Sequence, residues 1–400
     1  MLTPKGISAV CHLLDVGSGL KLFPFDWDSQ EKCVKRAGRR HRFYFKIHKF
    51  INLFMNVLAA GRLMQAMSRG YFPLVLRILN TVWLMAYTLT TLCLVQFETK
   101  EGEILQFVNC LLSYVRRTSI RKINSDKLPS IPEKSDRNFD EMTESYEQKK
   151  LSYYIFFGML MLAGNPFVHI LLVDESPCAP HFVSSFFLPC EGFKNYYIPL
   201  LHKVPFMAAE YYLTTVIFFS WSFNWTIIFL GMSWIVAELR RMSFALSRGE
   251  KSSVHQYRSI ECIATLMNDA FVTYLSTFPN LLFAIVSILM FGVIRIWHYD
   301  PGSNLMFPLC GIRCAFEAIT PLAVAGDVND QNKEVVAKWK QGVVARRASN
   351  RAKKEAIAYQ KSFHAVRCTA GSLYTFENSI VLCCLNNCMQ LTLNLFLTFK

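Results

Sequence analysis

Residues 371–399 read GSLYTFENSIVLCCLNNCMQLTLNLFLTF and carry one formal charge, Glu377. At about 1.5 Å rise per residue, a helix of this length overspans a hydrocarbon core of about 30 Å, so the stretch reads as a membrane helix. Its polar residues are not scattered: Ser379, Cys383, Asn387, Gln390, Asn394 and Thr398 recur at intervals of 4, 4, 3, 4 and 4. At about 100° per residue they gather within roughly a third of a turn. Lipid offers amides no hydrogen-bond partner, so the stripe must face other helices or water. Two readings fit: Asn and Gln as interhelical glue inside one bundle, or copies of this helix around an aqueous path.

The apolar character recurs upstream. The chain has 400 residues, 52% hydrophobic and 14% aromatic, and its apolar residues gather in blocks long enough to span a bilayer. This predicts an all-α, polytopic membrane protein with seven transmembrane helices: 50–67, 73–95, 151–173, 204–237, 270–296, 305–325 and 371–399. Arg62 makes the first the weakest, since it must snorkel. The fourth is overlong and is expected to continue beyond the bilayer. The apolar part of the charged segment 98–150, Ile104 to Tyr114, reads as a helix lying on the membrane or the bundle. No cleavable signal peptide is expected, because Asp15 interrupts the only early apolar run.

A net charge of +14 would point a soluble chain toward nucleic acid, but here the basic residues sit between hydrophobic blocks and no RNA-binding motif accompanies them. They report orientation instead. Segments 1–46, 97–150, 236–269 and 327–370 hold 34 Lys and Arg, and the alternate loops hold only 5. The positive-inside rule therefore predicts a cytosolic N-terminus and, after seven crossings, an extracellular C-terminus. Cys178 and Cys190 then lie on the oxidising side, where a disulfide closing their short loop is expected. The other eleven of the thirteen cysteines read as free, with no zinc-ligand pairing among them.

The chain divides into a cytosolic N-terminal segment (1–46), six membrane helices with their loops (47–326), a basic, helix-favouring cytosolic segment (327–370) and the final helix (371–400). Val335, Val336, Trp339, Val343 and Val344 give the third of these an apolar face opposite its Lys and Arg, suited to packing on cytosolic neighbours or anionic lipid.

Seven spans, a cytosolic N-terminus, an aromatic-rich middle and a polar-striped last helix together resemble the arthropod gustatory and odorant receptor superfamily, on its gustatory side. That family closes its last helix with Thr-Tyr, five hydrophobic residues and Gln-Phe. In one placement Leu391-Thr392, Leu393 to Leu397 and Thr398-Phe399 take these positions, and only the final Phe matches. A second placement keeps Gln390 and puts Cys383-Cys384 at Thr-Tyr. The resemblance implies a plasma-membrane, ligand-gated, non-selective cation channel, a homotetramer or a heterotetramer with related receptors, in which four final helices line the pore. Asn387, Gln390, Asn394 and Thr398 would then form the polar wall, with a ring of Leu397, or alternatively Leu395, closing it by dewetting.

A receptor of this topology would bind its ligand in the outer half of the bundle. Aromatic and polar groups collect there: Tyr71, Phe167, His169, Phe206, Glu210, Tyr211, Tyr212, Phe307, Arg313, Phe316 and Glu317. Arg313 and Glu317, four apart on one helix face, are placed to pair, whereas Glu210 has no partner evident in the sequence. The expected partners are a small-molecule tastant, a sugar or other polar compound, and membrane lipids; no cofactor, metal or nucleic acid is implied. The rivals are a secondary transporter, favoured by Pro166 and Pro279 but lacking repeated halves, and an inverted seven-helix receptor that signals without conducting. A seven-helix membrane hydrolase resembling the progestin and adipoQ receptor family needs clustered histidines, and His169, His202, His298 and His364 are isolated. No nucleophile, base and orienting group assemble, so the chain reads as non-enzymatic.

Overall fold

The computed structural model describes residues 4–68, 73–125, 136–190, 198–247, 254–296, 301–345, 354, 358, 362 and 364–398. Long helices dominate. In chain order they are α1 (Pro4–Gly19), α2 (Arg39–Ser68), α3 (Leu74–Thr99), α4 (Glu101–Ser125), α5 (Asp136–Glu175), the short α6 (Ser184–Phe187), α7 (Leu200–Ser247), α8 (Val254–Ala270), α9 (Val272–Ile296), α10 (Pro301–Ala345) and α11 (Ser379–Thr398). One antiparallel hairpin, β1 (Phe25–Asp28) and β2 (Cys33–Arg36), stands between α1 and α2 with Trp27 opposite Val34.

Among the described residues six helices are long and apolar enough to cross a membrane: α3, α5, α7, α9, α10 and α11. The chain is thus a multi-pass membrane protein. The first expected span lies within α2, which is not among the six. Arg39, Arg40, Arg42, Lys46, Lys49 and Arg62 dilute its apolar content. Its geometry is nonetheless that of a bundle helix. Asn52 donates to the Tyr87 carbonyl (3.1 Å) and to Thr91 Oγ1 (2.8 Å) of α3, while Phe50, Leu53, Phe54, Val57 and Met64 are exposed.

The axis of the core is α7. Its 48 residues run about 72 Å at helical rise, well past a bilayer. Ile217, Phe223, Trp225, Ile227, Ile228 and Leu239 along it are wholly or nearly wholly buried, and α5 and α10 pack on it along their lengths. α9 fits between α3 and α10, and α11 lies on α9. The N-terminal segment is folded rather than merely polar and basic, and it packs on α5 and α7. Phe23 and Phe25 stack at 4.9 Å between centroids and meet Phe97 near the C-terminal end of α3 and Phe223 in the middle of α7.

Two boundaries differ from the sequence reading. α10 does not stop near residue 325 but continues as one helix to Ala345, with Val335 buried and Trp339 half-buried on the core. Val343 and Val344 have side chains outside the described set. The last helix begins at Ser379, not Gly371. Before it the chain turns back on itself: Thr369 bridges Thr375, the Ala370 N–H donates to the Tyr374 carbonyl at 2.9 Å, and Gly371 takes φ +58°. That left-handed conformation costs glycine nothing and an L-residue about 1 kcal/mol or more, so the helix cannot run through it.

Candidate ligand site and the outward face of the last helix

The buried polar residues converge where α3, α5, α7 and α10 meet the loop between α5 and α7. That loop is closed by a Cys178–Cys190 disulfide. Ser184 Oγ donates to the Pro177 carbonyl at 2.5 Å, and Phe182 and Ala179 bury against Val173, so the loop is folded into the bundle rather than over it. Glu210 of α7 finds its partner here. Its Oε1 accepts the Val183 N–H at 3.0 Å, an interaction across 27 residues that no local spacing signals.

His169 of α5 lies edge-on to Trp83 of α3, 4.4 Å between centroids, and His181 of the loop stacks against the same indole at 6.2 Å and 7°. Burial pushes the His181 ring down to about 3, so it is neutral at physiological pH. On α10 the Arg313 Nε–H donates to Glu317 Oε1 at 2.9 Å, the i,i+4 pair read from the sequence. The guanidinium also lies 4.2 Å above the centre of the Phe218 ring and 5.8 Å from that of Trp221, so its charge is met by a carboxylate and two π faces. Trp221 Nε1 in turn donates to Thr90 Oγ1 at 3.1 Å.

This cluster is polar beyond its internal needs. Among the described residues, both amide atoms of the fully buried Asn80, Nδ1 of His169 and His181, Nη2 of Arg313 and Oε2 of Glu317 have no hydrogen-bond partner. A buried polar atom without a partner costs about 1–3 kcal/mol, and this concentration of them singles the cluster out as the candidate site.

Of the residues singled out from the sequence, His169, Glu210, Arg313 and Glu317 come together in this cluster. The others disperse around it. Phe167 and Tyr211 contact each other at 5.5 Å on a more exposed face, and Phe206 stacks on Phe187 at 5.9 Å. Tyr212 bonds through its hydroxyl to His48 Nδ1 of α2. Phe307 is buried against Gly292, and Phe316 packs between Phe157 and Trp225. Tyr71 lies outside the described residues. Trp83, His181, Asn80, Phe218 and Trp221 went unnoticed in the sequence. Asn80 alone carried a usable signal, as an amide in the middle of a membrane span.

The last helix presents a second candidate surface. Cys388 and Thr392 are buried against α9, where Ser287 Oγ donates to the Cys388 carbonyl at 3.1 Å, and Phe396 meets Phe291 at 5.0 Å. Leu395 is half-buried on the same side. The opposite face is turned away from the protein: Ser379, Cys383, Asn387, Gln390, Asn394 and Thr398 are all exposed, and Leu397 is 70% exposed.

No family model matches the chain, and no curated protein matches it in sequence. Solved structures do. The chain aligns with the insect olfactory receptor OR5 from Machilis hrabei over 97% of both chains, at a TM-score of 0.67 and 12% identity. With the same receptor in complex with eugenol it aligns over 98% of its own length and 97% of the other, at 0.66 and 14%. At such identity the likeness is one of fold: the chain shares the helical fold of that olfactory receptor over nearly its whole length.

Proposed function

We propose that the chain is a chemosensory receptor of the gustatory type that works as a ligand-gated, non-selective cation channel in the plasma membrane. The observation that carries the reading is the polar stripe of α11, exposed along its whole length while the other face of the helix packs on α9. A stripe serving as glue within one bundle would be turned inward. Amides turned outward at membrane depth need either water or other chains, and four copies of α11 around an axis supply both.

In this reading α2 makes the seventh crossing, the N-terminus is cytosolic and the C-terminus extracellular. Asn387, Gln390, Asn394 and Thr398 form an uncharged wall that passes hydrated cations with little selectivity. Leu397, on the exposed face, closes the path; Leu395, which packs toward the bundle, is the weaker choice for the gate. The basic 327–370 segment anchors the assembly on the cytosolic side. A small polar tastant, a sugar or related compound, occupies the cluster around His169, Glu210, Arg313 and Glu317. Phe167, Phe206, Tyr211, Tyr212, Phe307 and Phe316 shape the surrounding bundle. The similar olfactory receptor has been solved with eugenol, a precedent for a small ligand on this fold.

The test is ligand-free: the particle is purified in nanodiscs, its symmetry determined by electron microscopy, and cation flux measured after reconstitution. A four-fold particle with α11 around the axis is expected. A stable monomer, with α11 against lipid, would discard the channel reading.

A further inference from the structure

A groove of about 400 Å³ opens between α2, α7 and the loop that the Cys178–Cys190 disulfide closes. Phe54 and Leu58 of α2, Val183 and Phe186 in and beside α6, and Ala209 and Leu213 of α7 wall it. Its volume falls within the roughly 300–1,000 Å³ of small-ligand sites. No residue of the polar cluster lines it, although the two share a wall: Val183 borders the groove and gives its N–H to Glu210 Oε1 at 3.0 Å.

The walls are apolar from end to end. Tyr212 is the one described lining residue with a polar side chain, and its hydroxyl is taken by His48 Nδ1, beyond Ile51 on α2. From Ile51 to Leu58 the groove follows α2 for about 10 Å at helical rise. A polar compound seated here would give up its hydrogen bonds to water and find none in return. The mouth is apolar as well. Phe54, Phe186 and Phe187 are exposed at it, and Phe50, Leu53 and Val57 continue the exposed face of α2 alongside. At membrane depth such a surface faces acyl chains.

The other end of the groove carries a charge. Arg62 stands one helical turn past Leu58, and its guanidinium lies 3.9 Å from the centre of the Phe186 ring that lines the groove. Nη1 donates to Gln65 Oε1 at 2.9 Å and Nη2 comes within 3.5 Å of Ser185 Oγ, which hold the cation at the rim. An apolar trough ending at a cation complements an amphiphile with an anionic group at one end. An uncharged apolar molecule would fill the trough and leave the cation unused; a small anion would do the reverse. We propose that the groove binds one phospholipid of the bilayer, an acyl chain lying along α2 from Ile51 to Leu58 and the phosphate at Arg62. A snorkelling arginine near the end of a membrane helix reaches the depth of the phosphates. The bound chain packs against Val183 and so braces the loop that holds Glu210. The site rests on α2 crossing the membrane, which labelling of the two termini tests by itself, and not on conduction.

The test is native mass spectrometry of the full chain, released from detergent to which palmitoyl-oleoyl phosphatidylcholine has been added. One lipid per chain should stay bound at concentrations where further lipids do not. Ala209→Trp, which puts an indole into the groove, should weaken that binding at least tenfold, and Arg62→Gln several-fold, with Arg62→Lys close to wild type. Palmitoyl-oleoyl glycerol, the same chains without a phosphate, should bind wild type several-fold more weakly and be indifferent to Arg62→Gln. Wild type with no preferred lipid would overturn the proposal, as would binding that Ala209→Trp leaves unchanged. Equal binding of the two lipids would overturn it too, making the groove a seat for any apolar chain. Should Ala209→Trp fail to purify as a folded particle, photolabelling of wild type in nanodiscs decides. A phosphatidylcholine with a diazirine in its acyl chain should mark residues 51–58 and 186–187 several-fold more densely than Phe156 and Leu160 on the exposed face of α5, and equal marking would reject the site.

Discussion

His181 illustrates how a single residue ties the loop to the bundle. Its ring stacks on Trp83 and lies 4.1 Å from that of Phe182, and its ordinary value of 6.5 falls to about 3 through burial. The folded protein therefore binds no proton there until well below pH 4, whereas the unfolded chain does so below about 6.5. Stability contributed by this residue is complete at neutral pH and declines as pH falls through 6.5, by up to about 1.4 kcal/mol per unit. His181→Phe keeps the stacking and removes the proton, so the fall in melting temperature between pH 7 and 5 should be shallower than in wild type. Gly326 is decisive for a different reason. A Cβ there would overlap the Asn378 side chain and come 2.9 Å from its backbone nitrogen. Asn378 can thus lie directly on α10 and donate to Asp330 Oδ2 at 2.6 Å, fixing the start of α11. Gly326→Ala should destabilise by about 1–3 kcal/mol, the usual cost of overpacking, visible as a lowered thermal midpoint in detergent. Neither residue stood out in the sequence: one histidine and one glycine carry no record of what the fold brings against them.

Among the elements, α11 shows how far periodicity reaches. The spacing of Ser379 through Thr398 established that the helix has a polar face, but not where that face points. Leu395 and Leu397 separate the possibilities, since two residues apart on a helix means about 200° of rotation. Leu397 lies on the exposed side and Leu395 is half-buried. Leu397→Ser is therefore expected to raise ligand-free cation current by at least several-fold with little change in melting temperature. Leu395→Ser should instead lower stability and leave the current near wild type. Planar-bilayer recording and thermal denaturation measure the two. α2 makes the complementary point. Its charges hide it from a hydropathy criterion, yet its exposed face of Phe50, Leu53, Phe54, Val57 and Met64 is apolar and its amides are spent on α3.

At the scale of the whole molecule, α7 and α10 are the two longest helices among the described residues. α10 carries Arg313 and Glu317 toward one end and Asp330 and Val335 farther down, so one rod of 45 residues connects the polar cluster to the root of α11. In the proposed reading, the asymmetric charge of the loops puts the N-terminus in the cytosol and the C-terminus outside. An epitope tag fused before Met1 should be protected from antibody in intact cells and become accessible on permeabilisation, while one after Lys400 should be labelled without it. Both tags on the same side would mean that α2 does not cross.

What the sequence determined by itself was whatever depends on composition and local period. Hydrophobic blocks, basic loops, the polar stripe of the last helix and the Arg313–Glu317 pair are all encoded within a few turns of chain, where spacing and geometry are the same thing. Tertiary structure decided the rest. It set the partner of Glu210 27 residues away, the meeting of His169 and His181 at one indole, the aromatic seat of the N-terminal hairpin and the outward turn of the stripe. Each of these depends on which faces of distant helices are pressed together. That choice is made by the packing of the whole bundle, and no window of the chain contains it.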